Sequence, residues 1–157
     1  MKAIIDITDK KLVLQKEVRE WCRFSYPGHP KGCPNYGIKK TCPPKIPLVQ
    51  EIFNLKKPHY LGIISFDLAT HMKNMALKHP DWSNRQLRCC LYWQGKIKKE
   101  LKILCEQFVK NMKGYDYTSS PEAMGVNVFR TLHYCGIKIR KCAYPILYKV
   151  ALIACKK

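Results

Sequence analysis

Residues 21–47 are the segment that most restricts how this chain can fold. They contain six prolines and three glycines, which together exclude a regular helix or strand. A loop of this length is uncommon in a compact domain unless something holds it in place. The same segment carries Cys22, Cys33 and Cys42, which are eleven and nine residues apart. We therefore expect an ordered loop whose three thiols bind a metal.

The spacing of these cysteines favours an iron–sulfur cluster over zinc. Structural zinc usually takes ligands in pairs about two to four residues apart, and the loop contains no such pair. Proline directly follows Cys33 and Cys42, as it follows a ligating cysteine in bacterial ferredoxins. Three thiolates would hold three irons of a [4Fe-4S] cluster and leave the fourth iron open. The candidates for a further ligand are His29, Cys135, Cys142 and the Cys89–Cys90 pair.

The charge of the chain indicates a polyanionic partner. Lys and Arg number 29 against 11 Asp and Glu, so the formal net charge is +18. RNA is the favoured partner, because neutralising phosphates releases counterions; a membrane surface is the weaker form of the same argument. The alternative is that the lysines form a solvated surface and bind no partner. The candidate phosphate contacts are Arg23, Lys31, Lys39, Lys40 and Lys45, and Tyr36, Tyr26 and Trp21 are candidates for stacking on a base.

The cysteine count is also informative about the compartment. We expect a cytoplasmic protein, since the first residues lack the apolar core of a secretory signal and no apolar run is long enough to span a bilayer. Nine cysteines are an odd number, and a reducing compartment disfavours disulfides. Metal ligation or thiol chemistry is then the better explanation of the cysteines.

The hydrophobic pattern predicts a compact single α/β domain over residues 1–157, in which a small mixed sheet is flanked by helices. The apolar runs at 11–15, 60–66 and 144–155 are predicted strands, and the last is apolar enough for the middle of the sheet. Apolar residues at three- to four-residue spacing predict a helix over 68–78 and a long amphipathic helix over 83–113. A turn at 114–119 leads to a further helix over 120–135.

Two stretches of the chain resemble a known family. They are the loop with Cys33-Pro-Asn-Tyr-Gly37 and Cys42-Pro-Pro44, and the segment Ser120-Pro-Glu-Ala-Met-Gly-Val-Asn-Val-Phe129. Both are similar to the predicted metal-binding proteins of archaea and bacteria called domain-of-unknown-function family 2284. The resemblance implies metal binding at Cys22, Cys33 and Cys42 but names no reaction. Members usually carry a second cysteine cluster just before the Glu-Ala-Met-Gly segment, and residues 114–119 contain no cysteine, so only one site is implied.

Several functions remain open at this point. The first is an iron–sulfur protein that acts on or with RNA, with sulfur chemistry on a tRNA base as one form of that activity. The second is a zinc-stabilised, non-catalytic nucleic-acid-binding module, and the third is an electron carrier. A thiol enzyme is disfavoured because no cysteine has a local histidine together with an orienting carboxylate. It stays an alternative because His29 lies in the cysteine loop. Whether the chain is an enzyme stays undecided.

Overall fold

A four-stranded sheet forms the centre of the computed structural model, which describes residues 1–26, 28–139 and 144–157. The strands are β1 (Lys2–Asp6), β2 (His59–Asp67), β3 (Tyr115–Thr118) and β4 (Ile146–Cys155), in the order β1-β2-β4-β3. All three pairings are antiparallel, where the sequence pattern favours a mixed sheet. The predicted compact α/β fold is confirmed.

The two long strands occupy the middle of the sheet. β2 pairs with β4 from His59 opposite Ala154 to Asp67 opposite Ile146. Both strands bury side chains on both faces, as their nearly continuous apolar sequences predict. The edges differ from expectation: β1 lies N-terminal to the predicted strand at 11–15, and residues 115–118 form β3 where a turn is predicted. β3 is short and pairs only with residues 152–155 of β4.

Helices cover both faces of the sheet. The α-helices are α1 (Val49–Ile52), α2 (Leu68–Lys78), α3 (Asn84–Leu87), α4 (Gln94–Val109) and α5 (Val128–Tyr134), and 3₁₀ helices span Lys16–Arg23, Cys90–Tyr92 and Pro121–Met124. Ile97 and Leu101 of α4 pack on one face of the sheet, and Leu132 of α5 packs on the other. None of the helices in the described ranges is long and apolar enough to cross a membrane.

The prediction of one continuous helix over 83–113 is wrong, because the structure divides this segment into α3, a 3₁₀ helix and α4. Ser83 caps α3, because its hydroxyl accepts a hydrogen bond from the Gln86 N–H at 3.4 Å. The chain then becomes extended at Cys89, and only α4 continues the amphipathic pattern. Cys89 and Cys90 pack against Gly28 of the cysteine loop. We attribute the break in the helix to this long-range contact. The three- to four-residue spacing of apolar side chains, on which the prediction rests, contains no information about it.

The predicted helix over 120–135 is also divided. Its first part is the 3₁₀ helix Pro121–Met124, and Gly125 ends it with a φ of 85°, a conformation that favours glycine. Asn127 then caps α5, since its side-chain oxygen accepts from the Arg130 N–H at 3.0 Å. Between the two parts, Val126 forms an isolated β-bridge with Leu14. The segment is therefore fixed to the strand-like residues just before the cysteine loop.

Candidate metal centre

The three predicted thiols line one cavity. Its volume is about 1000 Å³, and Cys22, Cys33 and Cys42 all contribute to its wall. Cys22 lies in the 3₁₀ helix Lys16–Arg23, and its carbonyl accepts a hydrogen bond from the Cys33 N–H at 2.7 Å. Turns then return the chain, because the Pro43 carbonyl accepts from the Gly37 N–H at 2.7 Å. Backbone hydrogen bonding thus brings distant cysteines to the same place.

Arg19 fixes the far end of the loop. Its side chain is buried, with a relative exposure of 8%. The guanidinium donates to the carbonyl oxygens of Pro44, at 3.0 Å, and Ile46. These carbonyls belong to a stretch without regular structure, so a side chain has to satisfy them. Arg19 therefore joins the start of the site, near Cys22, to its end, near Cys42.

The Cys22 thiol lies within electrostatic range of both Cys33 and Cys42. Burial raises the pKa of the Cys22 thiol above its ordinary value, and Cys33, Glu122 and Cys42 raise it further in that order. Lys149 acts in the opposite direction. A metal lowers the pKa of the thiols that it binds, because only thiolates are good ligands. Three thiols in one cavity wall are suitable ligands for a metal or a cluster. The Lys149 ammonium is close enough to Cys22 to offset part of the negative charge of the thiolates.

Tyr26 lines the same cavity as the three thiols. Burial, followed by Cys33, Cys90 and Cys22, raises the pKa of its hydroxyl to about 12. The ring also contacts His29 edge-on, with 5.1 Å between the centroids. Both rings line the cavity. Tyr26 therefore remains a neutral hydrogen-bonding group beside the sulfurs at physiological pH.

The candidates for a further ligand occupy different places. His29 lines the cavity, whereas Cys135 packs against the hydrophobic core. A Cβ on Gly28 would lie 3.0 Å from the Cys90 Sγ and 3.1 Å from the Cys89 Sγ, so this pair touches the loop. Cys142 lies outside the described residues. Among the described residues, no group of three His, Cys, Asp or Glu side chains is arranged to hold a single metal ion.

Three of the predicted RNA-contacting residues already have partners within the protein. Arg23 forms an ion pair with Glu20 at 3.1 Å, and its guanidinium lies 5.9 Å from the Tyr36 ring centroid. The Tyr36 hydroxyl donates to Glu20 at 2.8 Å, and Lys45 donates to the Ile38 carbonyl at 3.0 Å. The remaining candidates keep free solvent exposure; they are Lys31, Lys39 and Lys40, of which Lys39 also lines the cavity.

Sequence reasoning missed several residues of the cavity wall. Glu122 comes from the second segment of the family resemblance, and Lys98 and Lys149 come from α4 and β4. Lys149 interrupts the otherwise apolar run of β4, and this interruption in the sequence could have indicated a site residue. Nothing in the sequence distinguishes Lys98 from the neighbouring lysines. The wall therefore combines thiols with carboxylates and ammonium groups.

Replacing Arg19 should loosen the loop. In R19M the carbonyls of Pro44 and Ile46 lose their donor, and we expect a loss of about 1–3 kcal/mol in the free energy of unfolding. Limited proteolysis should cut residues 21–47 faster than in the wild type. The matched control is R23M, whose side chain is exposed and should change neither quantity. Wild-type stability and wild-type proteolysis of R19M would contradict this role.

Removing the charge of Glu122 should make Cys22 more reactive. In metal-free E122Q the pKa of Cys22 falls, because a negative neighbour that raises it is gone. More thiolate is then present at mildly alkaline pH, so alkylation of Cys22 by iodoacetamide, followed by peptide mass spectrometry, should be faster. K149M should have the opposite effect, and E17Q, at an exposed position, should have none. Slower or unchanged alkylation in E122Q would refute this electrostatic account.

The geometry also bears on the family resemblance. Glu122 and Ala123 of the second segment line the cavity together with Cys22, Cys33 and Cys42 of the first. The two stretches are thus neighbours in the fold although about 80 residues separate them in sequence. No family model, curated protein or solved structure matches this chain. The resemblance to family 2284 stays a prediction, and an account of function depends on the chemistry of the cavity itself.

Proposed function

We propose that this protein binds an iron–sulfur cluster through Cys22, Cys33 and Cys42 and acts on or with RNA. One observation supports it above all: three cysteines that are far apart in sequence line the same cavity. The donor set consists of thiols, which iron–sulfur clusters require. When bound, a cluster with three protein thiolates supplies one iron that is free to take a ligand from solution or substrate.

The spacing of the cysteines in sequence favours a cluster over zinc. Structural zinc usually takes paired ligands about two to four residues apart. Cys22, Cys33 and Cys42 are instead eleven and nine residues apart. The zinc-stabilised module remains the second candidate, with one ion in place of the cluster.

The partner and the compartment follow from charge and from the state of the thiols. A net charge of +18 strengthens association with RNA, and Lys31, Lys39 and Lys40 are exposed on the cysteine loop. The eight cysteines in the described ranges form no disulfide. We propose a cytoplasmic location because a chain with nine cysteines, an odd number, suits a compartment that keeps thiols reduced.

Anaerobic reconstitution tests the metal centre. The wild-type chain supplied with iron and sulfide should become coloured and bind about four irons. Cys22→Ser, Cys33→Ser and Cys42→Ser should each lose most of that iron. Cys105→Ala is the matched control, because Cys105 is buried between α4 and the sheet and away from the cavity. A colourless wild-type protein that retains one zinc would overturn the cluster and favour the zinc module.

Salt dependence tests the interaction with RNA. The affinity for a short single-stranded RNA, measured by fluorescence anisotropy, should fall steeply as the salt concentration rises. Replacing Lys31 and Lys40 by methionine should reduce the slope by about 1.4, or about 0.7 for each lost phosphate contact. The control replaces Lys73 and Lys78 of α2, which are exposed and do not line the cavity. Equal effects of the two pairs would show a non-specific response to charge and exclude the loop as the contact surface.

A further inference from the structure

Two lysines from different elements meet at the cavity wall. Lys98 belongs to α4 and Lys149 to β4, and both line the cavity. Partial desolvation lowers the pKa of Lys98, and the neighbouring Lys149 ammonium lowers it further. Three ion pairs are formed within the described residues, and neither lysine takes part in them. Two like charges thus stand close together with no acidic partner in contact.

The fold explains why Lys149 reaches the cavity. β3 pairs only with residues 152–155 of β4, so it ends before the position of Lys149. Residues 118–120, which leave β3, line the cavity beside it. The flanking positions Leu147 and Ala151 belong to the hydrophobic cluster under α4. Lys149 is thus a charged side chain that lies between two apolar positions of β4 and reaches the cavity wall.

Two of the three acidic residues of the wall form ion pairs with lysines outside it. Asp116 pairs with Lys156 at 2.5 Å, and Glu106 pairs with Lys102 at 3.7 Å. Glu122 acts on Cys22, and no ion pair joins it to Lys149. A third cation, Lys39, lines the same cavity and lies within electrostatic range of Lys98. The basic side of the wall therefore keeps a net positive charge in the absence of a ligand.

We propose that Lys98 and Lys149, assisted by Lys39, bind the phosphate of a nucleotide whose base enters the cavity towards the thiols. This rests on the proposed function, because it assigns to the cavity one nucleotide unit of the RNA. Ammonium groups are good phosphate ligands, and about 1000 Å³ is at the upper end of the range for small-molecule pockets. The Tyr26 and Trp21 rings in the wall offer surfaces on which a base can stack.

The test uses the full metal-free chain, so that it does not depend on cluster binding. Isothermal titration with a nucleoside 5′-monophosphate at low salt should show saturable binding. We expect K98M and K149M each to weaken it by roughly tenfold, the range of a charged hydrogen bond. The control K96M/K99M removes two charges, as K98M/K149M does, from exposed positions of α4 outside the cavity wall and should leave affinity within about twofold. K98R keeps the charge and should retain most of the affinity.

Separate ligands identify the recognised group. Inorganic phosphate should compete with the mononucleotide, and the nucleoside without phosphate should bind much more weakly. A short single-stranded RNA should also lose affinity in K98M if the phosphodiester is recognised; an effect on the mononucleotide alone would assign the site to free nucleotides. Equal losses in K98M/K149M and K96M/K99M would overturn the proposal, as would mononucleotide binding that is unaffected by K98M. Circular dichroism checks the fold, and the exposed helical position of Lys98 makes K98M the variant that decides.

Discussion

The hydrogen bonds from Arg19 to the carbonyls of Pro44 and Ile46 are the interaction on which the rest of the site depends. A proline-rich loop cannot satisfy its backbone groups through a helix or a sheet, so it needs donors from elsewhere. Arg19 supplies them from a 3₁₀ helix that also carries Cys22. The first and last cysteines of the loop are thus positioned from one short element. Together with the backbone hydrogen bonds within the loop, this connection holds the three thiols at one cavity.

The sheet also contributes residues to the cavity wall. β3 is too short to cover β4, and the space beyond its end holds Lys149. α4 crosses the same region and adds Lys98, while the segment after Ser120 adds Glu122. Thiols and ammonium groups in one cavity wall suit it to an anionic centre or an anionic ligand. The proposed cluster and the proposed nucleotide phosphate are both anionic, so the same positively charged wall would favour both.

Sequence reasoning succeeded where local pattern decides the structure. β2, β4 and α2 follow from continuous or periodic apolar residues, and α2 has the predicted bounds of Leu68–Lys78. It failed where long-range contacts decide. The helix break at Cys89 accompanies packing on Gly28, about 60 residues away, and the β3 strand depends on pairing with β4. The thiol loop was predictable from its composition, but Lys98 and Glu122 became site residues only through the folded geometry.

The metal content and X-ray absorption spectrum of the chain purified without oxygen test the central claim most directly. The account predicts iron with sulfur neighbours and a second shell of iron scatterers, as in a cluster. Both signals should disappear together in Cys33→Ser, because Cys33 lies between the other two thiols in the loop. A spectrum with one zinc and no metal–metal scattering would contradict the cluster. Iron that persists in the variant would contradict ligation by the three-cysteine loop.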